Sequence, residues 1–237
     1  MLVVLAAVAG AMDAIAYFGL GVFTTMMTGN TALLAFGMAR GDPAQMLPAG
    51  LALAGFMAGT TAGALIVGRE RSRAPWPRSI THALGCESLV LAVFVVVWQS
   101  AGPAHRAPAV TTLLILVSSF AMGLQAAAVR QLGIAGVATT YISSTLTGLT
   151  AELIGWARAD DDASAGRLRL FAAVVGAYGA SALLGAMLMS RTSAAGVWLP
   201  FLSVAVVVST AILGQRNHAL ETASADPCRG RNPTKVG

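Results

Sequence analysis

The sequence predicts an all-α integral membrane protein with about six spanning helices, two broken or half-penetrating helices, and a pseudo-symmetric inverted repeat. Three observations support this prediction. Of the 237 residues, 56% are hydrophobic and only 11% are charged, whereas globular chains carry about 25% charged residues. The apolar residues form eight blocks separated by short polar stretches. Finally, segments in the two halves of the chain resemble each other.

The apolar blocks have about the length that a membrane-spanning helix requires. A bilayer core about 30 Å thick needs about 20 apolar residues in a helix. The first block lacks a basic n-region and a small-residue cleavage site, which favours a spanning helix over a cleaved signal peptide; a short native segment is expected before it. Beyond Gly214, residues 215–237 are polar and are expected to form a disordered tail. The eight blocks are Leu2–Leu20, Val22–Ala39, Met46–Gly68, Ile80–Gln99, Ala109–Val129, Val137–Trp156, Leu168–Ser190 and Val197–Gly214.

The distribution of arginine residues indicates which blocks cross the membrane. The second and sixth blocks begin with hydroxyl-rich runs, at 24–31 and 139–145. If these two blocks enter the membrane without crossing it, eight of the arginines before Arg216 lie on the side of the N-terminus and three (Arg40, Arg106 and Arg191) lie on the other. If all eight blocks cross, the bias disappears. Because cytoplasmic loops are rich in Lys and Arg, we expect six crossings, an inner (plasma) membrane location and cytoplasmic termini.

An internal repeat supports the same topology. Residues 10–28 align with 123–143, with an offset of 113 at the glycines and 115 at the threonine pairs. Repeat 1 then covers about 1–100 and repeat 2 about 108–214, within a single membrane domain, 1–214. With three crossings in each half, the second copy is inverted, as in many secondary transporters. Biased composition of small-residue helices is the alternative explanation.

Several motifs carry a resemblance to a known family. They are Gly10-x-x-Asp13, Phe23, Met27-Thr28-Gly29-Asn30-Thr31, Gly123-x-Gln125 and Thr139-Thr140 through Thr145-Leu146-Thr147. With these motifs, the chain from its first helix to about Gly214 resembles the YoaK-like family of bacterial inner-membrane proteins. The family commonly has a second Thr-Gly-Thr element where this chain has Ser143-Ser144-Thr145. The resemblance implies a membrane location and a fold rather than an activity.

Asp13 is the candidate coupling residue. It lies in the middle of the first block, between Met12 and Ala14. An acidic side chain inside a bilayer costs about 2.5–3.5 kcal/mol, and such residues often carry protons or cations. Two interpretations stay open: a proton- or cation-coupling carboxylate, or a structural cap that accepts N–H groups of the Thr28-Gly29-Asn30 turn.

The second block supplies the main candidate for a substrate-binding site. A helix beginning at Thr31 would present unpaired N–H groups and a positive dipole end, which attract anions. The alternative is a simple cap of a packed half-helix. The predicted substrate-binding residues are Thr28, Gly29, Asn30, Thr31, Gln125, Thr140, Ser143, Ser144 and Thr145.

The remaining polar and small residues each have a structural alternative. Gln125 either contributes to the predicted substrate-binding site or forms an interhelical hydrogen bond. Glu152 either pairs with Arg158 or relays protons, and Glu87 is expected at the interface, near Arg78 and water. Two small-residue faces are expected to pack closely against other helices. They are Gly55, Gly59 and Gly63 in the first half and Ala172, Gly176 and Ala180 in the second.

The expected function is that of a secondary transporter or exporter of a small polar or anionic solute, with proton coupling through Asp13. The alternative is a non-transporting membrane scaffold that uses its Arg-rich loops to bind a partner. Enzymatic motifs such as HExxH and Gly-x-Ser-x-Gly are missing from the sequence, so no enzyme, cofactor or metal site is expected. The expected partners are the lipid bilayer and the solute, with no nucleic acid, and a homo-oligomer stays open.

Overall fold

Eight α-helices make up the described part of the chain. A computed structural model describes residues 1–68, 76–102, 107–132, 142–159, 162–191 and 196–224. The helices are α1 Leu2–Leu20, α2 Met27–Arg40, α3 Pro43–Val67, α4 Arg78–Ala101, α5 Pro108–Gln131, α6 Ile142–Ala159, α7 Asp162–Arg191 and α8 Trp198–Ser224.

Six of these helices are long and apolar enough to cross a membrane: α1, α3, α4, α5, α7 and α8. The other two, α2 and α6, are the helices that the sequence predicts as half-penetrating. With 14 residues, α2 is about 21 Å long at 1.5 Å per residue, too short for a bilayer core. The predicted fold class, an all-α membrane protein, is confirmed.

The predicted glycine face of α3 packs closely against α5. Gly55, Gly59 and Gly63 lie against α5 so closely that a Cβ atom at any of the three would collide with that helix. Small residues at 4-residue spacing let two backbones approach along one stripe. The face that the sequence predicts on α3 is therefore confirmed, and α3 packs more extensively against α5 than against its sequence neighbour α4.

The second half packs differently from the sequence expectation. Helix α7 packs against α1, but Gly176 faces open space and Ala172 and Ala180 are exposed. The contact instead involves the face that carries Tyr178 and Gly185. The predicted face Ala172, Gly176 and Ala180 is therefore wrong. The reason is that the polar side chain of Tyr178 turns toward α1 and fixes the rotation of α7.

Contacts between helices define the direction of each segment. Helix α7 is parallel to α1, and α5 is parallel to α3, with Gly55 against Leu116 and Gly63 against Ala127. Helix α5 is antiparallel to α1, since Gln125 near the end of α5 reaches Leu5 near the start of α1.

The last helix places both described ends of the membrane domain on one side. Gln215 of α8 donates a hydrogen bond to Thr81, at the first turn of α4. Helix α4 is parallel to α1, because Trp98 near its end packs on Gly19 near the end of α1. Helix α8 continues to Ser224, beyond the expected start of the tail at residue 215, because helical hydrogen bonding does not require an apolar sequence. Residues 225–237 lie outside the described residues.

Candidate functional site

The chain turns back into the bundle after α1. Gly21 ends the helix in the left-handed conformation, with φ of 75°, and its N–H donates to the Tyr17 carbonyl oxygen. Residues 21–26, here called the return segment, then run back beside α1, and its Thr24 and Thr25 are buried. A residue with positive φ reverses the chain direction at little cost only if it is glycine. The two threonines consequently lie level with Asp13, about two helical turns below the end of α1.

Asp13 is buried in the centre of α1, with 3% of its surface exposed. Its Oδ1 accepts hydrogen bonds from the backbone N–H groups of Thr24, at 2.8 Å, and Thr25, at 2.7 Å. The Thr24 hydroxyl donates to the same oxygen at 3.1 Å. Because these two N–H groups lie outside any helix, no helical carbonyl group accepts their hydrogen bonds. The carboxyl group of Asp13 is their acceptor instead.

The other carboxyl oxygen of Asp13 joins two parts of the chain. Its Oδ2 accepts from the Thr25 hydroxyl and, at 2.7 Å, from the Tyr178 hydroxyl of α7. Five donors from the described residues thus surround one carboxyl group, an arrangement that fits its ionised, acceptor-only form. The Tyr178 bond links α1 and the return segment directly to α7.

This geometry corrects one sequence interpretation of Asp13. The proposed cap on the Thr28-Gly29-Asn30 turn is wrong, because the N–H groups that Asp13 accepts belong to Thr24 and Thr25. The chain reverses at Gly21, before the Thr28-Gly29-Asn30 motif, so Thr24 and Thr25 lie next to the carboxylate instead of that motif. The coupling role of Asp13 stays a prediction.

Asn30 holds the return segment from the other side. Its Oδ1 accepts from the Phe23 N–H at 2.9 Å, and its Nδ2 donates to the Phe23 carbonyl oxygen at 2.6 Å. One fully buried side chain therefore satisfies both polar groups of a backbone unit that has no helical partner. Asn30 performs this role from inside the first turn of α2, which begins at Met27. The expected helix start at Thr31 is wrong.

The other residues of the Thr-Gly-Asn motif are less enclosed. Gly29 faces the ring of Phe23, where a Cβ atom would come within 3.0 Å, and that ring stacks on Tyr17. Thr28 is exposed, and the exposed Thr31 donates to the Met27 carbonyl oxygen at 2.9 Å. Of the four predicted ligands in this motif, Asn30 is thus committed to the backbone, while Thr28 and Thr31 lie on the outer side of α2.

The second hydroxyl-rich segment is described only in part. Thr140 lies outside the described residues; Ser143 and Ser144 are exposed, and Thr145 is buried. Helix α6 packs chiefly against α7, whereas α2 packs chiefly against α3. The described residues of the two predicted halves of the solute site are therefore not brought into extensive contact with each other.

Gln125 adopts the structural alternative of the sequence analysis. It is fully buried, and its Nε2 donates to the Leu5 carbonyl oxygen of α1 at 3.0 Å. The hydrogen bond joins α5 to α1, so the interhelical interpretation is confirmed. Whether Gln125 also contacts a solute stays a prediction.

Glu152 and Glu87 are the other two acidic residues for which the sequence offered an interpretation. Glu152 forms an ion pair with Arg167 of α7 at 2.8 Å, and the side chain of Arg158 lies outside the described part of the chain. Glu87 is fully buried, whereas Arg78 is exposed, so the predicted interfacial position of Glu87 is wrong. Helix α4 turns this side chain inward because Leu84 and Leu91, one turn on either side of it, occupy the same buried face.

Sequence reasoning also missed donors of the Asp13 site. The threonine pair was visible as a hydroxyl-rich run eleven and twelve residues after a membrane-embedded acid, a signal that could have linked them. Tyr178 is 165 residues from Asp13, and no local pattern marks it. Among the described residues, no cluster of three or more His, Cys, Asp or Glu side chains is arranged to hold a metal ion.

Six apolar helices and a buried acid that binds a returning turn define a multi-pass helical membrane protein. Residues 1–210 match the family described as "Protein of unknown function (DUF1275)", and the chain belongs to this family. It is also 34% identical over 158 residues to the "UPF0700 transmembrane protein YoaK" of Bacillus subtilis (strain 168), covering 65% of this chain and 67% of that protein. This agrees with the resemblance seen in the motifs. No solved structure matches the chain.

Proposed function

We propose that this protein is a secondary transporter or exporter of a small polar or anionic solute, coupled to protons through Asp13. The observation that carries the proposal is the buried carboxyl group, which binds a returning turn and α7 at once. An acid in a spanning helix is expensive, and such residues commonly belong to ion or substrate pathways. Because donors surround Asp13, a change in its protonation state would change the hydrogen bonds that join α1 to the return segment and to α7.

Coupling follows from the hydrogen-bonding capacity of a carboxyl group. An ionised carboxylate only accepts, whereas a protonated one must donate at one oxygen. A proton on Oδ2 would require the Thr25 or Tyr178 hydroxyl to turn away or accept instead. Protonation of Asp13 therefore weakens or rearranges the link from α1 to α7, which is the kind of change that a two-state carrier needs.

An inverted repeat is part of the same proposal. If α1–α4 and α5–α8 are the two copies, equivalent helices run in opposite directions: α1 against α5 and α3 against α7. Equivalent helices also have equivalent neighbours. Between the copies, α3 packs on α5 and α7 packs on α1; within each copy, α2 packs on α3 and α6 packs on α7. These paired contacts support a duplication and are not expected from biased composition alone.

Equivalent glycines give a second, independent argument for the repeat. Gly10 lies against the Tyr178 carbonyl group, and Gly123, its partner in the alignment, lies against the Phe56 carbonyl group. Three residues further on, the first copy has Asp13 and the second has Ala126. The equivalent contact between α5 and α3 thus has Ala126 in place of the acid and Phe56 in place of the tyrosine, so we propose a single coupling site.

The proposed solute site uses the residues that the sequence predicts and that stay accessible. Thr28, Ser143 and Ser144 are exposed in the first turns of α2 and α6, and Thr31 is exposed directly after the first turn of α2. The first turn of a helix carries N–H groups without helical acceptors and a partial positive charge, which favour an anionic or polar group.

For orientation, we propose an inner-membrane protein with cytoplasmic termini. The ends of α2 and α7, with Arg40 and Arg191, would then face outward, and the end of α5, with Gln131, inward. The test is labelling of Arg40→Cys, Arg191→Cys and Gln131→Cys, each in a Cys86→Ser, Cys228→Ser background, with an impermeant maleimide on intact cells. Labelling of the first two and protection of the third is expected. The opposite pattern would show that the orientation is inverted. Labelling of all three would exclude a topology that places Gln131 on the other side of the membrane from Arg40 and Arg191.

Transport is tested with the purified protein in liposomes that contain a pH-sensitive dye. A panel of small organic anions, polyols and amino acids is added outside, and the internal pH is followed. One class of solute is expected to change the internal pH in the wild-type protein and in Asp42→Asn, an exposed acid-to-amide control. Asp13→Asn is expected to lose the response at least about 10-fold, a factor equal to 1.4 kcal/mol. Equal rates in Asp13→Asn would exclude coupling through Asp13, and no response to any solute would contradict transport.

A scaffold without transport is the second candidate, and one observation favours it. Asn30 of the Thr-Gly-Asn motif is fully buried, and its side-chain amide forms hydrogen bonds with the Phe23 backbone. Such bonds are expected of a purely structural turn. This candidate predicts that no solute in the panel produces a response, and that a partner binds the Arg-rich side of the protein.

A further inference from the structure

Helix α4 contains a second buried acid, Glu87, which the proposed transport mechanism does not use. Its side chain has 0% exposure, and neither Oε1 nor Oε2 has a hydrogen-bond partner among the described residues. It lies at the centre of the buried face of α4, between Leu84 and Leu91. The position is therefore inside the helix bundle rather than at its surface.

No described cation compensates Glu87. Helix α3 has no ionisable residue, α5 has only Arg130, exposed near its end, and α8 has none between 198 and 215. On α4 itself, Arg78 and His82 are exposed. In α1, Asp13 is bound to the return segment and Tyr178. A carboxylate would therefore be buried with its charge unpaired by any described residue, which is unfavourable.

A second unpartnered acceptor lies in the same region of the core. The Oε1 atom of Gln125 is buried and has no partner among the described residues, while its Nε2 is bound to Leu5. Leu5 and Leu84 belong to one apolar cluster with Ala128, one turn from Gln125. Three buried acceptor atoms, two from Glu87 and one from Gln125, thus have no hydrogen-bond donor among the described residues.

We propose that Glu87 is a proton-binding site, occupied while Asp13 is ionised. A bound proton removes the charge, which the described residues leave without a counterion. No bond other than the O–H bond forms or breaks. The two buried acids among the described residues would then differ in protonation state, and this inference stands whether or not the protein transports a solute.

The test is infrared spectroscopy of the wild-type protein at neutral pH in a detergent that contains no carbonyl group. A protonated carboxylic acid gives a carbonyl band well separated from the bands of ionised carboxylates. We expect this band in the wild-type protein and in Asp13→Asn, and its loss in Glu87→Gln. Absence of the band from the wild-type protein, its persistence in Glu87→Gln, or its loss in Asp13→Asn alone would overturn the proposal.

A measurement without substitutions guards against misfolded variants. Wild-type protein that contains isotope-labelled glutamate is expected to shift the carbonyl band, and protein with labelled aspartate is expected to leave it unchanged. The reverse result would assign the proton to an aspartate and overturn the proposal. Because neither measurement depends on transport, a failed transport assay leaves this result interpretable.

Discussion

Asp13 and Glu87 are both carboxylic acids buried in spanning helices, yet their surroundings are opposite. Asp13 accepts hydrogen bonds from five donors, and Glu87 from none among the described residues. The difference follows from the backbone. Regular helices such as α4, α5 and α8 use their N–H groups internally, so they have none to offer a neighbouring acid. The return segment has free N–H groups because it is not helical.

The comparison teaches that a broken helix stabilises a buried charge in a way that a continuous helix does not. Removal of the acid should therefore have opposite effects at the two sites. At Asp13 it leaves donors without an acceptor, and at Glu87 it removes acceptors that have no donor. Four substitutions test this contrast.

Asp13→Ala should have the largest effect. Without the carboxyl group, the N–H groups of Thr24 and Thr25 and three hydroxyls lose their acceptor. Each unsatisfied buried group costs about 1–3 kcal/mol, so we expect the free energy of unfolding to fall by at least about 3 kcal/mol. Denaturant titration in mixed detergent micelles measures it. Asp13→Asn, which keeps one acceptor oxygen, should lose less, and an equal loss in both variants would contradict the role given to Oδ1.

Asn30→Ala should rank second. It leaves the part-buried N–H and C=O of Phe23 without their side-chain partner, at a cost of about 2–3 kcal/mol. The same titration measures the loss, with Thr28→Ala as the control because Thr28 is an exposed neighbour on the same turn. A loss below 1 kcal/mol, or one equal to that of Thr28→Ala, would show that the return segment does not depend on this amide.

Glu87→Met should change stability in the opposite direction. Methionine has a similar length and no polar atoms, so it removes two unpartnered oxygens while it fills the same space. The free energy of unfolding should rise by about 1–2 kcal/mol. Glu87→Gln, which keeps polar atoms at the position, is the control and should not gain stability. A clear loss of stability in Glu87→Met would indicate that the acid has a partner and would end the contrast with Asp13.

Tyr178→Phe should have the smallest effect. It removes one donor of the five around Asp13 and preserves the ring, so the expected loss is about 1 kcal/mol. Tyr17→Phe, in an exposed ring of α1, is the matched control and should be neutral. In the Asp13→Asn background the Tyr178→Phe substitution should cost less, because the first substitution already perturbs the hydrogen bond that the two side chains share. A double-mutant cycle measures this coupling. Additive effects would show that the two side chains act independently.

The sequence predicted the features that depend on the bilayer and on local chain chemistry. Apolar length and the arginine distribution predicted which six segments span, and Gly55, Gly59 and Gly63 predicted the packing face of α3. The buried acid and the threonine pair were also visible in the sequence. These features could be predicted because transfer into lipid acts on each segment separately.

The tertiary structure decided which groups meet. It alone paired Asp13 with Thr24, Thr25 and Tyr178, turned Glu87 into the core, and rotated α7 so that Gly176 faces outward. A helix position specifies an angle around one axis but not the rotation of that helix against its neighbours, which depends on packing and hydrogen bonds between residues far apart in the chain. For that reason the acid in α1 could be recognised from sequence, while its partner 165 residues away could not.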